Sequence, residues 1–387
     1  MNRSLFFKQV TLGAIGTTVL QNQALAALFL PDTMVDHFYV GSYTTTRQDG
    51  ITMCAFDPKT GAVRLADVCK EVTNPSFLIF DNQHNFVYAV NETADSGGKK
   101  SGSVSSFKHD TKTGKLTFLN ARPSLGANPC HLSVDRTGKF ILVANYTSGN
   151  VAVLPVLPDG KLGEPVEMVQ HAGKSINASR QEGPHAHSVN LSPDNRYAFV
   201  CDLGIDKIMV YCFDQVTGKL SPADIPFFQA APGSGPRHFT FSKDGGQAFV
   251  VNELNSTITS LRYDAVKGKL TELQTLSTLP GDFTGENTCA DVHLHPNGLF
   301  VYASNRGHDS IAVFSIEKGS GKLKLVQNQS TLGKTPRNFA IHSSGRYLLA
   351  ANQDSGSVQV LSLDPATGRL SATGQSISVP KPVCILF

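Results

Sequence analysis

Short apolar runs, each ended by a turn signal, follow one another along most of the chain. A representative segment has apolar runs at Cys130–Val134, Phe140–Asn145, Val151–Leu157 and Val166–Val169, with Asp, Ser, Gly and Pro residues between them. Runs of this length at intervals of about 8–12 residues are typical of β-strands in all-β proteins. No apolar stripe with a helical period of useful length is present. The pattern therefore predicts an all-β fold, with four strands in this segment.

The same four-strand unit recurs seven times. Its clearest landmark is a turn that mostly reads Gly-Lys/Arg-Leu, and the seven copies begin about 51 residues apart on average, at Gly61, Gly114, Gly160, Gly218, Gly268, Gly321 and Gly368. A second landmark is an apolar run that ends in Asn or Asp, as at Phe86–Asn91, Phe140–Asn145, Tyr197–Asp202 and Phe300–Asn305. Seven such units predict a seven-bladed β-propeller with four antiparallel strands per blade. A solenoid would instead need capping units and shorter periods.

The two ends of the repeat region complement each other. The region begins with the second strand of a unit, Phe38–Ser42, and the chain ends with a first strand, Pro382–Phe387. We therefore expect the closing blade to be built from both termini, which would leave no open sheet edge. The propeller domain is predicted over residues 36–387, and a chain sealed in this way is expected to be a monomer.

Residues 1–26 have the pattern of a signal peptide. Arg3 and Lys8 supply a charged start, Val10–Leu20 is a short apolar run, and Ala24-Leu25-Ala26 matches a cleavage site. The apolar run is far shorter than the roughly 20 residues needed to span a membrane. The leader predicts export to the periplasm or the medium, and the protein would be cytoplasmic only if the leader were not used.

Composition excludes several classes of partner. The net charge is +3 and the chain has no run of Lys or Arg, so no nucleic-acid partner is predicted, and no membrane partner after the leader is cleaved. The chain has no Trp, which removes the Trp-Asp signature of WD repeats. Asn91 and Asn145 match the glycosylation sequon. Because both fall at the predicted channel mouth, we interpret them as positions that the fold requires.

The chain has seven cysteines and no Cys-x-x-Cys motif, which excludes a thioredoxin-like site. Cys54 with Cys69, and Cys201 with Cys212, flank hairpin turns and could be cross-strand neighbours. The favoured interpretation is that the cysteines are buried free thiols in strands.

Aligning the seven units shows which side chains meet at one mouth of the predicted channel. One side of this ring carries chargeable residues, namely His187, Arg237, Glu253, Arg306 and Arg337, with Asp291 and His293 beside them. Two interpretations are open. The residues could form Arg–carboxylate bridges that tie the blades together. The sharper hypothesis is an anion-binding site with a general base, because Arg clamps carboxylates or phosphates and His exchanges a proton near neutral pH.

Other chemistries have less support. The pairs His185/His187 and His293/His295 have the spacing of metal ligands on one strand face, but no third ligand is evident, so no metal site is predicted. There is no Gly-x-Ser-x-Gly elbow, His-Glu-x-x-His motif, P-loop or dinucleotide fingerprint. Covalent serine catalysis therefore has no support in the sequence.

Five ordered motifs carry a family resemblance. They are Pro184-His185-Ala186-His187-Ser188, Gly235-Pro236-Arg237-His238, Val251-Asn252-Glu253-Leu254, Ala290-Asp291-Val292-His293 and Ser304-Asn305-Arg306. Together they resemble the lactonase family of seven-bladed propellers, which includes 6-phosphogluconolactonases and carboxymuconate-lactonizing cycloisomerases. The resemblance implies an enzyme with no cofactor or metal, and it places the catalytic histidine at His187 with Arg237, Glu253 and Arg306 as its polar partners.

The resemblance leads to a specific hypothesis, which is hydrolysis of a sugar lactone. His187 would act as general base on water, while Arg237 or Arg306 would stabilise the oxyanion and hold an anionic group. Substrate contacts are expected from His185, His238, Asp291, His293 and Arg337. A lactonizing cycloisomerase and a non-enzymatic exported binding propeller remain as alternatives. The leader separates the chain from cytoplasmic 6-phosphogluconolactone, so a different sugar lactone is also open.

Overall fold

The computed structural model describes residues 35–46, 49–70, 72–95 and 100–387. The predicted leader, residues 1–26, lies outside the described residues. Within them the chain forms seven antiparallel sheets of four strands each. The prediction of a seven-bladed propeller with four strands per blade is confirmed.

The strands are numbered here in chain order. The closing blade contains β1 (Asp36–Ser42), β2 (Ile51–Phe56), β3 (Val63–Cys69) and β28 (Pro382–Leu386). The second blade contains β4 (Phe77–Phe80), β5 (Phe86–Asn91), β6 (Ser103–His109) and β7 (Leu116–Pro123). The third contains β8 (Pro129–Val134), β9 (Phe140–Asn145), β10 (Asn150–Pro155) and β11 (Glu167–Gln170). The fourth contains β12 (Ala186–Leu191), β13 (Tyr197–Asp202), β14 (Lys207–Phe213) and β15 (Leu220–Gln229).

The remaining blades follow the same plan. The fifth contains β16 (Pro236–Phe241), β17 (Gln247–Asn252), β18 (Thr257–Asp264) and β19 (Lys269–Ser277). The sixth contains β20 (Thr288–Leu294), β21 (Phe300–Arg306), β22 (Ser310–Ile316) and β23 (Leu323–Ser330). The seventh contains β24 (Pro336–Ile341), β25 (Tyr347–Asn352), β26 (Ser357–Leu363) and β27 (Leu370–Ser378). The helical element among the described residues is one 3₁₀ turn, Leu203–Ile205, and no helix there is long and apolar enough to cross a membrane.

The ring closes through the C-terminal strand. The first strand of each blade contacts the first strands of the next, and β28 takes its place in this ring between β24 and β4. β28 pairs antiparallel with β1, with Val40 opposite Ile385 and Gly41 opposite Cys384. The closing blade is therefore built from both termini, as predicted, and pairing replaces what would be two open sheet edges.

The hydrophobic core lies between neighbouring blades. One cluster, for example, joins Phe38 and Phe56 of the closing blade to Leu349 and Val360 of the seventh blade. Second strands are buried on both faces, and every residue of Phe140–Asn145 is buried. Outer strands alternate half-buried and exposed positions instead, as along Leu370–Ser378, where Leu370 is the buried residue. The apolar pattern is therefore densest near the ring axis, where each strand packs between two sheets.

The glycines of the repeated turn have a backbone reason. All seven adopt positive φ, between +64° at Gly268 and +81° at Gly160. This left-handed conformation is unfavourable for residues with a Cβ. At Gly218 an added Cβ would also lie 2.6 Å from the Phe140 ring of the preceding blade. The recurring glycine therefore both closes the hairpin and lets the next blade approach.

The Asn residues that end the second strands hold the loops at the channel mouth. Asn145 is fully buried and donates through its side-chain amide to Ser124 O and Asn150 Oδ1. Asn305 and Asn352 donate to loop carbonyls in the same way. The predicted structural role of these positions is therefore met by specific hydrogen bonds.

The cysteines are all free thiols in this structure. The possible cross-strand pairs suggested by the hairpins are wrong: Cys54 lies opposite Leu65, while Cys69 lies opposite Ile51. Cys201 and Cys212 lie opposite Ile208 and Tyr197 on paired strands. The hairpin register separates each pair along the strands, so no disulfide can form across them. Five of the seven thiols are buried, Cys69 is half-buried and Cys212 is exposed.

Candidate active site

A β-bulge at the start of the first strand brings side chains into the channel. In six of the seven blades the pairing register between the first and the second strand shifts near the start of the first strand. The residues at which it shifts are Cys130, His187, Arg237, Arg337 and Val383, and in the sixth blade the shift lies between Cys289 and Val292. A bulge leaves one residue unpaired and re-aims its side chain. Proline precedes four of these positions, which fits its preference for strand starts and bulges. The fold therefore presents a ring of residues at one mouth.

This mouth contains a cavity of about 260 Å³. Its wall combines residues at the starts of first strands with residues that follow second strands, and consists of Glu92, Cys130, Tyr146, Arg180, His187, Glu253, Thr288, Arg306 and Arg337. A larger cleft of about 670 Å³ lies near Ser242 and Asn297, but it is lined by turn residues at the other end of the blades. The mouth cavity is the candidate active site because several ionisable groups converge there.

A single buried carboxylate organises the arginines. Glu253 accepts hydrogen bonds from Arg180 at 2.6 Å and from Arg237 Nε at 2.9 Å, and it forms an ion pair with Arg306 at 3.0 Å. Burial alone would raise the pKa of Glu253, but the charges of Arg306, Arg237 and Arg180 outweigh burial and lower it to about 2. Glu253 is therefore ionised at neutral pH, and it fixes three guanidinium groups around one point.

Arg337 is placed differently from these three arginines. Its guanidinium lies over the Tyr43 ring, 5.5 Å from the ring centroid, and it forms no ion pair with a carboxylate among the described residues. The Tyr43 hydroxyl donates to Glu92 at 3.0 Å, so Glu92 is held on the same side of the cavity. Counted among the described residues, three guanidinium groups line this cavity and that of Arg237 lies directly beneath it, so four arginines face the carboxylates of Glu92 and Glu253 with an excess of two positive charges. Such an excess favours an anionic ligand or a reaction that develops negative charge.

His187 lies on the cavity wall and is only 4% exposed. Its Nδ1 is 3.8 Å from Cys130 Sγ, and its ring packs against Tyr146 with centroids 5.4 Å apart. Within the described residues its Nε2 has no hydrogen-bond partner. Burial, followed by the charge of Arg237, lowers the pKa of His187 well below its usual 6.5. The imidazole is therefore neutral at pH 7, the form that can accept a proton.

The structure reveals a cavity residue that the sequence analysis missed. Arg180 lies on the long connection between β11 and β12, and it donates to Glu253 and, at 3.3 Å, to the Tyr146 hydroxyl. The base of this connection is anchored, because His171 Nδ1 is 2.6 Å from Asp202 Oδ2 and both side chains are fully buried. A signal was present in the sequence, since 58 residues separate the turn glycines of this unit, the largest of the spacings.

The nine predicted site residues divide into three groups. His187, Glu253, Arg306 and Arg337 line the mouth cavity. Arg237 and His238 lie directly beneath it and line a smaller cavity that continues downward from the first. The remaining three line neither cavity, and are His185, Asp291 and His293.

These last three residues stack on or hydrogen-bond to neighbouring side chains instead. His185 stacks on the Tyr146 ring at 4.6 Å, and Asp291 accepts from His238 at 2.7 Å and from His293 at 2.9 Å. The expectation that they contact the substrate stays a prediction, but in this structure they do not line the mouth cavity. The reason is that their side chains are turned toward carboxylate or ring partners below or beside it. In the described part of the chain, no group of three or more His, Cys, Asp or Glu side chains is arranged to hold a metal ion.

Comparison with known proteins places the chain in a family. Residues 37–387 match the family model described as lactonase, 7-bladed β-propeller. The chain belongs to this family of propeller lactonases. It is 37% identical over 349 residues to a 6-phosphogluconolactonase of Bacillus subtilis, which covers 90% of this chain and 97% of the relative. A 6-phosphogluconolactonase of Formosa agariphila is 35% identical over 78% of this chain and 85% of that protein.

A solved structure gives the same result. The periplasmic gluconolactonase of Pseudomonas aeruginosa superimposes with a TM-score of 0.84 at 34% identity, covering 91% of this chain and 98% of that one. The resemblance inferred from the five motifs is therefore confirmed. The named relatives, at 35–37% identity over most of the chain, support a lactonase enzyme and not the alternative of a non-enzymatic binding propeller.

Proposed function

We propose that this propeller lactonase hydrolyses an anionic sugar lactone in the mouth cavity, with His187 as general base. The observation that supports this most is the pairing of a neutral histidine, whose Nε2 has no partner among the described residues, with an excess of two positive charges. A neutral imidazole can take a proton from water, and the arginines can stabilise the oxyanion that the attack creates.

The roles of the arginines follow from their pairing. Arg337 has no carboxylate within hydrogen-bond reach in the described chain, so it is assigned to the oxyanion and to the carboxylate of the product. Arg306 contacts Glu253 and the Cys289 carbonyl, and borders the same space. Arg237 is 2% exposed and held by Glu253 and by the Ala290 carbonyl. Its role is to set the local charge and to orient Glu253, and it does not touch the substrate.

The reaction proceeds by attack of water on the lactone carbonyl. The water oxygen bonds to the carbonyl carbon while one water proton passes to His187. The ring ester C–O bond then breaks, and His187 returns that proton to the departing ring oxygen. The second water proton is released when the new carboxylic acid ionises beside Arg337.

Arg180 is assigned to a second anionic group of the substrate. It is the most exposed of the four arginines, with 38% of its side chain accessible, and it stands at the rim on a separate loop. A phosphate or carboxylate entering the cavity would compete with Glu253 for this guanidinium. The substrate class proposed here is therefore a lactone that carries a further negative charge.

We also propose that the mature protein works outside the cytoplasm. The leader over residues 1–26 supports this, as does the similarity to a Pseudomonas aeruginosa protein described as periplasmic. Fractionation of the native host, with an antibody against the mature domain, tests the location. Recovery of the unprocessed chain in the cytoplasm would contradict it.

The function is tested with the purified mature protein on phosphorylated and plain aldonolactones, followed by pH-stat. His187→Ala should lower kcat by at least about a hundredfold, since general-base catalysis contributes roughly 10²–10⁴-fold. His342→Ala is the matched control, because that buried histidine lies in the turn at the opposite end of its blade, bonded to Asp36. The spontaneous opening of lactones is subtracted with a protein-free blank. Equal rates for the wild type and His187→Ala would remove His187 from the mechanism.

A lactonizing reaction is the main competing outcome. If no lactone is opened above the blank, while a linear polycarboxylate is cyclised, the chain is a cycloisomerase. His187 would then transfer a proton in the ring-forming direction.

A further inference from the structure

A second, smaller cavity lies under the mouth cavity and shares part of its wall with it. It measures about 10 Å³, which is room for one water-sized sphere. Its wall includes Ser76, His187, Arg237, His238 and Arg337. His187 borders both cavities, so whatever occupies the lower one lies next to the proposed general base.

Two polar atoms on this wall are buried and have no partner in the described chain. They are Ser76 Oγ and His238 Nε2. Ser76 is 5% exposed and His238 is 6% exposed, so bulk water does not reach either side chain freely. Buried hydroxyl and imidazole groups are nearly always hydrogen-bonded, and those that lack a protein partner are commonly satisfied by an ordered water.

The neighbouring carboxylate determines the tautomer of His238. Asp291 Oδ1 lies 2.7 Å from His238 Nδ1, and Asp291 Oδ2 accepts from Asn338 at 2.6 Å. Asp291 is 2% exposed, and despite its burial the neighbouring His293 and His238 keep its pKa well below the usual value. The carboxylate therefore takes the Nδ1 hydrogen of His238, which leaves a lone pair on Nε2. Burial, followed by Arg237, lowers the pKa of His238 to about 4, so this neutral form persists at pH 7.

The two histidines are close enough to share one small ligand. Their ring centroids are 5.3 Å apart and the rings are inclined at 69°. A water between them could donate one hydrogen to each Nε2 and accept a third hydrogen bond from the Ser76 hydroxyl. Its remaining lone pair would then face the mouth cavity, where the lactone carbonyl would lie.

We propose that Ser76 and the His238–Asp291 pair bind the hydrolytic water beneath His187 and orient it for attack. This inference rests on the lactone hydrolysis proposed above. His238 and Ser76 are positioning residues, and the proton taken from the water still goes to His187. The bonds that form and break are those of the hydrolysis: the water oxygen joins the carbonyl carbon, and the ring ester bond is cleaved.

A positioned water requires several partners, and the wall of the lower cavity offers the Ser76 hydroxyl, His238 Nε2 and the His187 ring. A water held by His187 alone would be free to rotate, and misplacement of a reacting atom by about 1 Å can cost roughly a hundredfold in rate. The arrangement also resembles the general use of a carboxylate to hold a histidine in the tautomer that presents Nε2. A purely structural role for Asp291 would not require an unpartnered Nε2 at a cavity wall.

The first test is a high-resolution crystal structure of the wild-type protein. A water should be found within about 3.2 Å of both Ser76 Oγ and His238 Nε2. In Ser76→Ala the water should be displaced or lost, while the side chains around it stay in place. A wild-type structure in which the lower cavity is filled by a shifted side chain would overturn the proposal.

The second test separates positioning from stability. In Ser76→Ala kcat should fall about tenfold, and in His238→Gln about a hundredfold, while KM stays within about twofold in both, since the substrate touches neither residue. Ser260→Ala is the matched control, because Ser260 Oγ is also buried and unpartnered but lies on β18 away from both cavities. Should His238→Gln fail to fold, Ser76→Ala decides the question.

The outcomes distinguish this inference from the proposed function. If the wild type opens lactones and Ser76→Ala keeps the wild-type kcat, the water-positioning role is wrong and the hydrolysis stands. If the variants raise KM and leave kcat unchanged, the residues bind the substrate and the proposal is again overturned. If the wild type opens no lactone, the proposed function and this role fail together.

Discussion

The ion-pair cluster around Glu253 allows a prediction of stability and its pH dependence. In Glu253→Gln three arginines lose a shared carboxylate at a position that is 4% exposed. The pKa of Glu253 falls from its ordinary 4.5 to about 2 on folding, and 2.5 pKa units correspond to about 3 kcal/mol of stability at neutral pH. Removing one partner of a buried pair typically costs about 3–5 kcal/mol, which agrees.

The expected fall in melting temperature can be worked from the size of the domain. Unfolding entropy of about 2.1 cal/mol/K per residue gives roughly 0.7 kcal/mol/K for about 350 residues, so Tm should fall by about 4–5 °C at pH 7. Glu92→Gln is the matched control, because its amide oxygen can still accept from Tyr43. That variant should lose less than about 1 kcal/mol.

The pH dependence provides the decisive comparison. A carboxylate whose pKa is lowered by folding stabilises the protein above its unfolded pKa, and that stability is lost as pH falls toward the folded pKa. For a shift from 4.5 to about 2, roughly 2 of the 3 kcal/mol is lost by pH 3. The gap between wild type and Glu253→Gln in urea unfolding should therefore narrow from about 3 to about 1 kcal/mol between pH 7 and pH 3. A gap that stays constant over this range would refute the assignment of Glu253 as an ionised hub.

Three further predictions concern closure, proton transfer and substrate choice. Deleting residues 382–387 should lower Tm by at least about 5 °C or abolish folding, since β28 completes a blade. If differential scanning calorimetry gave the wild-type Tm for this variant, ring closure through this strand would be contradicted. The acidic limb of the pH profile of kcat/KM should lie below pH 6.5, because burial and the charge of Arg237 lower the pKa of His187. Arg337→Gln should move that limb to higher pH, because the charge of Arg337 also lowers this pKa. A wild-type limb above pH 6.5 would exclude His187 as the titrating base. Arg180→Gln should raise KM for a phosphorylated lactone about tenfold or more, because the assigned partner of the phosphate is lost, while KM for the plain lactone stays within about twofold. Equal changes in KM for both substrates would argue against a phosphate contact.

The sequence was sufficient to predict the fold because the repeat is a local signal. Each turn requires a glycine at positive φ, and each second strand requires an apolar run between two sheets, so both features recur at regular spacing. Closure through the C-terminal strand was also predictable, since the first repeat unit lacks its first strand and the C-terminal segment has the pattern of a first strand. These properties depend on backbone conformation and burial, and both leave a signal in the residue type at each position.

The site was predicted only in part. Alignment of the repeats placed His187, Glu253, Arg306 and Arg337 at one mouth, and all four line the cavity there. It placed Asp291 and His293 beside them, but their side chains pair with each other and with His238 below the cavity. The difference arises because a bulge sends neighbouring residues of one strand into the channel at different depths.

The number of blades, the order of the strands and the strand ends that meet at one mouth can all be predicted from the sequence, because they follow from short-range patterns. The tertiary contacts show that Glu253 binds Arg180, from a loop 73 residues away along the chain, and that Arg337 has no carboxylate within hydrogen-bond reach among the residues that the structure describes. They also show that the cysteines of each hairpin lie out of register. Such pairings depend on distances between blades, which are set when the ring closes and are not encoded in the spacing of any single repeat.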